Sequence, residues 1–179
     1  MNRNLALGLL TLGVLVGSTP AVMAVRQGAR FQSHSVSERV GKLFAKMREG
    51  KYSGIRFPEL VWQDIPALLE FGGSRKILKT FPDNSLSSYL QEECTEGMIA
   101  LWLVEGIRKG GKDLPSLNPL ITPLKSGVDY QKQSENRHGE VLDAYQKWWD
   151  RVRSLPIEEA KKINPLAKSG LAWYGPSQR

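Results

Sequence analysis

The sequence predicts an all-α, single-domain protein built from stacked helix pairs and preceded by a signal peptide. Three observations carry that expectation. The chain opens on a basic, then apolar, then small-residue leader. Three later stretches repeat their apolar residues at helical spacing. No convincing alternating strand pattern longer than four residues occurs.

The leader comes first. Asn2-Arg3-Asn4 supplies a positive start, and Leu5 to Val16 is a 12-residue uncharged run. Gly17 to Pro20 breaks that run, and Ala21-Val22-Met23-Ala24 offers the small or apolar residues a signal peptidase reads. The run is shorter than the roughly 18–20 residues that span a bilayer, so cleavage between Ala24 and Val25 is expected in preference to a retained anchor. The expected organisation is a signal peptide over 1–24, a flexible arm over 25–34 and a helical domain over 35–179. The mature chain is expected in the periplasm or outside the cell.

Cys94 is the single cysteine, so no disulfide forms within the chain and the core must hold without one. The net charge of +7 is unevenly placed. Residues 25–56 carry eight basic residues against Glu38 and Glu49, whereas residues 57–179 balance sixteen basic with sixteen acidic ones. Such an excess suits anionic lipid, envelope glycan or an acidic protein. Export argues against nucleic acid.

Along the domain, Ser35 and Glu38 have capping-box spacing, and Val36, Val40, Leu43, Phe44 and Met47 then form one apolar face. Arg39, Lys42 and Lys46 share another face and form a candidate basic surface. Gly50 ends this helix. Asp64 is placed to cap a short helix with Pro66 in its first turn, and Gly72-Gly73 closes it. Ser88 to Lys109 reads as the central helix, apolar nearly all round from Met98 to Ile107 except at Glu105. Lys112 to Asn136 reads as a long connection broken by Pro115, Pro119, Pro123 and Gly127, with room for a short strand or turn. Val141, Ala144, Tyr145, Trp148 and Val152 mark a further helix over roughly 139–154, and Pro156 opens a short one through Lys162. Leu166, Leu171, Trp173 and Tyr174 require an ordered tail that folds back.

Candidate chemistry is sparse. Cys94 lacks a nearby histidine in sequence and falls on the apolar stripe, where a thiol packs as a small hydrophobe. His34 and His138 are isolated, so neither a transition-metal site nor a cofactor is expected. Glu92, Glu93 and Glu96 cluster at the expected helix start, where the dipole favours acids. A glycosidase would need two such carboxylates across a cleft. A buried Glu105 must be paired, and Arg108 at i+3 or backbone N–H groups of an adjacent helix are the candidate partners. Trp102, Trp148, Trp149, Trp173 and Tyr174 supply packing or binding surface. Adjacent indoles on a helix point about 100° apart, so Trp148 is expected inside and Trp149 over the tail or the long connection.

Two groups of segments together carry a resemblance. The first is Asp64-Ile65-Pro66-Ala67-Leu68-Leu69, Pro82-Asp83-Asn84-Ser85-Leu86-Ser87-Ser88-Tyr89 and Ala100-Leu101-Trp102-Leu103-Val104-Glu105-Gly106-Ile107-Arg108. The second is Tyr145-Gln146-Lys147-Trp148-Trp149, Asn164-Pro165-Leu166 and Gly170-Leu171-Ala172-Trp173. The chain resembles an uncharacterised family of exported bacterial proteins of similar length, whose members carry no assigned activity. The first group also resembles one helical hairpin of a HEAT-type repeat. The resemblance implies an all-helical protein-binding scaffold and supplies no catalytic residues. The leading functional expectation is therefore a non-catalytic interaction or scaffold protein of the envelope, with an envelope protein as partner. The alternatives are an envelope-glycan hydrolase using Glu92, Glu93 or Glu96, and an anionic-membrane binder using Arg39, Lys42 and Lys46.

Overall fold

A computed structural model describes residues 38–54, 56–82, 94–116, 118–123 and 130–175. All of them belong to one compact unit, His34–Arg179. The expected leader, its cleavage site, the Ser35 cap and the residues Glu92 and Glu93 lie outside the described residues.

Helix α1 covers 38–49 and buries Val40, Phe44 and Met47. It ends in a turn whose two closing bonds, Lys51 N–H to the Lys46 carbonyl and Gly50 N–H to the Met47 carbonyl, enclose Gly50 at φ 74°. A side chain at that φ is disfavoured, which is why glycine stops the helix there. A 3-10 turn, Trp62–Asp64, leads into α2, Ile65–Phe71, with Pro66 in its first turn. Phe44 of α1 stacks on Phe71 of α2 at 4.6 Å between ring centroids.

The central helix α3 runs Glu96–Arg108, and every residue from Glu96 to Ile107 is buried. It therefore starts later than Ser88. Cys94–Thr95 forms a strand, β2, that pairs antiparallel with β1, Ile77–Leu78. Thr95 is extended and its side-chain oxygen accepts the Met98 N–H, so this threonine is the true cap. Cys94 consequently sits in a strand instead of on a helix stripe, although it is buried and unbridged. Gly110 at φ 114° ends α3, with Gly111 N–H bonded back to the Gly106 carbonyl.

Strand β3, Ile121–Pro123, falls inside the expected long connection, and α4 begins at Tyr130 and runs to Val152. The helix thus passes through Gly139 instead of starting there. Its buried stripe is His138, Val141, Tyr145, Trp148 and Val152, so the histidine extends the apolar spacing by one turn. After the short helix α5, Ile157–Ala160, strand β4, Leu171–Trp173, returns antiparallel to β3 with Ile121 opposite Trp173. The tail folds back through this strand.

The protein is largely helical, with α3 packed against both α2 and α4, but it is not all-α. The two short strand pairs correct that expectation. One joins the α2–α3 connection to the start of α3, and the other joins the α3–α4 connection to the tail. Strands of two or three residues present too few positions for alternation to register in sequence. Among the described residues no helix is long and apolar enough to cross a membrane.

Candidate functional site

Glu105 is 4% exposed at the start of the last turn of α3. Arg108 grips it bidentately, Nε donating to Oε2 at 2.8 Å and Nη2 to Oε1 at 2.6 Å. The Tyr145 hydroxyl of α4 donates to Oε2 at 2.9 Å and accepts the Trp173 indole N–H at 2.8 Å. Arg108 Nη1 also reaches the Lys161 carbonyl at 2.7 Å. One carboxylate thereby connects α3, α4, the end of α5 and β4. The neighbouring helix supplies a phenol, where sequence reasoning offered backbone N–H groups. Burial pushes the Tyr145 hydroxyl well above the usual tyrosine range, and the Glu105 charge adds to the shift. Burial alone would lower Arg108, but the Glu105 hydrogen bond and charge outweigh it and raise it. The charges of the network are mutually satisfied.

A second buried acid, Glu96, is 2% exposed at the first position of α3. Arg48 of α1 donates to its Oε1 at 2.8 Å and the Ser74 hydroxyl to its Oε2 at 2.6 Å. The third, Asp64, was expected to cap α2 through its side chain. Instead its carboxylate turns back, accepting the Val61 N–H at 2.8 Å and the Arg39 guanidinium. The 3-10 turn ahead of α2 competes for the same acceptor, which the sequence spacing did not reveal.

The candidate basic surface is thus partly committed. Arg39 bonds Asp64, and Lys42 pairs with Glu38 on the exposed helix face. Lys46 is exposed and has no partner among the described residues. These three side chains border a groove of about 520 Å3 with Leu43, Tyr52 and Leu60.

The aromatic candidates serve mainly as packing. Trp102 is fully buried, its indole N–H donating to Ser116 Oγ at 2.6 Å. Trp148 is buried against Tyr145, and its indole N–H has no partner among the described residues. Trp149 rests on Trp62 at 5.7 Å and Trp148 at 6.0 Å, and among the described residues no ring contact ties it to the tail. The 3-10 turn brings Trp62 there, so the surface it shares is that turn. Trp173 is buried, whereas Tyr174 is half-buried and donates its backbone N–H to the Leu120 carbonyl at 2.8 Å.

His138 is 1% exposed, and its Nε2 lies 2.6 Å from the Gly72 carbonyl, which fixes Nε2 as the protonated nitrogen. Its Nδ1 is buried without a partner among the described residues. Burial holds the imidazole below the usual histidine range; the Gly72 carbonyl opposes that and the Arg75 charge reinforces it. The unfolded chain therefore takes up the proton first. The stability this histidine contributes is complete above about pH 6.5 and is lost as pH falls through its lowered folded value. The urea midpoint is expected to drop between about pH 7.5 and about pH 5.5, and less steeply in His138→Gln. Equal declines in the two proteins would remove His138 as the cause.

A larger open groove, about 650 Å3, separates the outer face of α4 from residues 163–169. Ala144, Trp148, Ile163 and Pro165 give it an apolar lining between charged rims. No local sequence pattern marks this groove, because its walls lie about 20 residues apart in the chain. Among the described residues no group of three His, Cys, Asp or Glu side chains is placed to hold a metal ion.

These features define a small helix-dominated domain whose buried carboxylates join its elements and whose unpaired charges line surface grooves. Residues 33–174 match the family described as a domain of unknown function, DUF4943, and the chain belongs to that family. No curated protein and no solved structure matches it.

Proposed function

We propose that the protein is an exported, non-catalytic interaction module that acts as a scaffold in the cell envelope or periplasm. The observation that carries this conclusion is how its buried acids are used. Both carboxylate oxygens of Asp64, Glu96 and Glu105 are engaged by structural partners. A catalytic acid or base needs access to substrate and a proton to exchange, and these groups have neither to spare. The Asn2 to Ala24 leader supports export. The α2–α3 pair, a short helix packed on a long apolar one, supports a HEAT-like scaffold, with the β1–β2 strands inserted in its connection. An envelope protein is the favoured partner, ahead of anionic glycan or lipid, and nucleic acid is not expected.

The hydrolase alternative draws least support at Glu96, which is held by Arg48 and Ser74. Glu96→Gln is expected to lower stability by about 1–3 kcal/mol, read from urea unfolding, because Arg48 loses its charged acceptor. The membrane alternative retains Lys46, but Arg39 and Lys42 already have partners.

Affinity capture from the source cell's envelope extract with the tagged full chain, at low and high salt, tests the module. A stoichiometric protein that stays bound at high salt is expected. Release of soluble glycan fragments by the purified chain, abolished by Glu96→Gln in a still-folded protein, would overturn it in favour of hydrolysis. Recovery of anionic lipid alone, at low salt only, would overturn it in favour of membrane attachment.

A further inference from the structure

We infer that the groove between α4 and residues 163–169 is the docking site, and that its occupant is an acidic, aliphatic segment of a partner protein. The inference rests on the interaction-module reading and deepens it. Charge selects the sign of the partner. Lys147 and Arg151 stand one turn apart on α4, and Lys168 lies on the opposite wall. All three are exposed and none has a partner among the described residues. Like charges at i,i+4 destabilise a helix, so Lys147 and Arg151 gain from an anion placed between them. The carboxylates of the α4 wall precede these cations, Asp143 one turn and Glu140 two turns before Lys147. Glu140 is held by Arg137 at 2.7 Å, and Asp143 would repel acid, which places the partner's acidic residues toward Lys147 and Arg151 on the α4 wall.

Shape and lining select the kind of partner. The volume of about 650 Å3 falls within the size of small-ligand and peptide sites. Ala144, Ile163 and Pro165 lie between the charged rims and would receive an aliphatic side chain. A flat membrane would meet the rim cations and leave those apolar groups uncovered. A sugar ring would seek an exposed aromatic face, yet the groove's indole, Trp148, is only 2% exposed. An extended segment carrying acids beside aliphatics uses both features.

The test is fluorescence anisotropy with the full chain and a fluorescein-labelled peptide of alternating Glu and Leu. Peptides of alternating Lys and Leu and of alternating Glu and Ser serve as comparators, and phosphatidylglycerol-containing vesicles as the lipid probe. Saturable binding of the Glu–Leu peptide is expected, weakened about tenfold or more by Lys147→Glu with Arg151→Glu, and also weakened by Lys168→Glu on the other wall. Both comparators are expected to bind more weakly. Equal affinity of the reversed variants, no saturable binding, equal binding of either comparator, or vesicle binding that depends on these cations in place of peptide binding would each overturn the inference. Should a reversed variant lose its cooperative thermal transition, the Gln substitutions at the same exposed positions carry the comparison. Repeating the envelope capture with the reversed chain separates the two levels. A partner retained undiminished overturns the groove and leaves the module standing, whereas absence of any partner from the unaltered chain overturns the module itself.

Discussion

Glu105→Ala is expected to cost about 3–5 kcal/mol, because it strands a buried cation. Arg108 has a side chain only 12% exposed and would keep a single acceptor, the Lys161 carbonyl. Tyr145, fully buried, would lose the acceptor of its O–H while still receiving the Trp173 N–H. For a chain of this length each kcal/mol moves the melting temperature by roughly 2–4 °C, so a fall of roughly 6–20 °C is expected by calorimetry. Removing both charges distinguishes a stranded cation from a lost network. Glu105→Leu with Arg108→Met leaves only neutral groups unsatisfied, and it is expected to recover at least half of the loss. A Glu105→Ala protein within about 1 kcal/mol of the original would show that Arg108 finds water or another acceptor at little cost.

Glu105 and Arg108 are also where sequence reasoning reached furthest. An acid inside an otherwise apolar stretch has few ways to be satisfied, and its i+3 arginine is one that can be named from the chain alone. Tyr145 and Trp173 complete the same network from 40 and 68 residues away, and their apolar bodies concealed the polar tips that matter. The all-round burial of α3 followed from composition, whereas its start did not. Three acids near Ser88 resembled a helix N-terminus, but the cap is Thr95, fixed by a strand pair too short to leave a periodic mark. His138 shows the converse error. A histidine beside Gly139 reads as the end of a loop, yet the helix continues through both because the ring replaces an apolar residue on the buried stripe. The groove was illegible for a topological reason. Its α4 wall is an ordinary charged helix face, and only the return of residues 163–169 makes that face one side of a cleft. Tertiary proximity of this kind leaves no local pattern in sequence.

The junction that His138 joins supplies the other large expected effect, in Gly97→Ala. Gly97 lies in the first turn of α3, with its N–H bonded to the Ser74 carbonyl at 3.0 Å. Its φ is not positive, so the requirement is space and not backbone conformation. A methyl group there would stand 2.5 Å from the Gly72 carbonyl oxygen, 2.7 Å from the Ser74 carbonyl oxygen and 2.7 Å from His138 Cε1. Two of those atoms belong to the backbone that closes α2, so no rotamer change relieves the contact, and trimming the histidine would leave both carbonyls in place. A loss of about 3 kcal/mol or more is expected, against a helix propensity that by itself favours alanine by about 1 kcal/mol. Two other helical glycines set the scale. A methyl at Gly106 would overlap the Phe57 ring, a side chain and not backbone, so a smaller loss is expected. A methyl at Gly139 would meet nothing within 4 Å among the described residues, and Gly139→Ala is expected to stabilise the protein by up to about 1 kcal/mol. Chemical denaturation of the three variants should therefore rank them with Gly97→Ala lowest and Gly139→Ala above the original. If Gly97→Ala unfolded at the same urea concentration as Gly139→Ala, α3 would not be seated against the end of α2, and the close approach that binds α2, α3 and α4 at one point would be wrong.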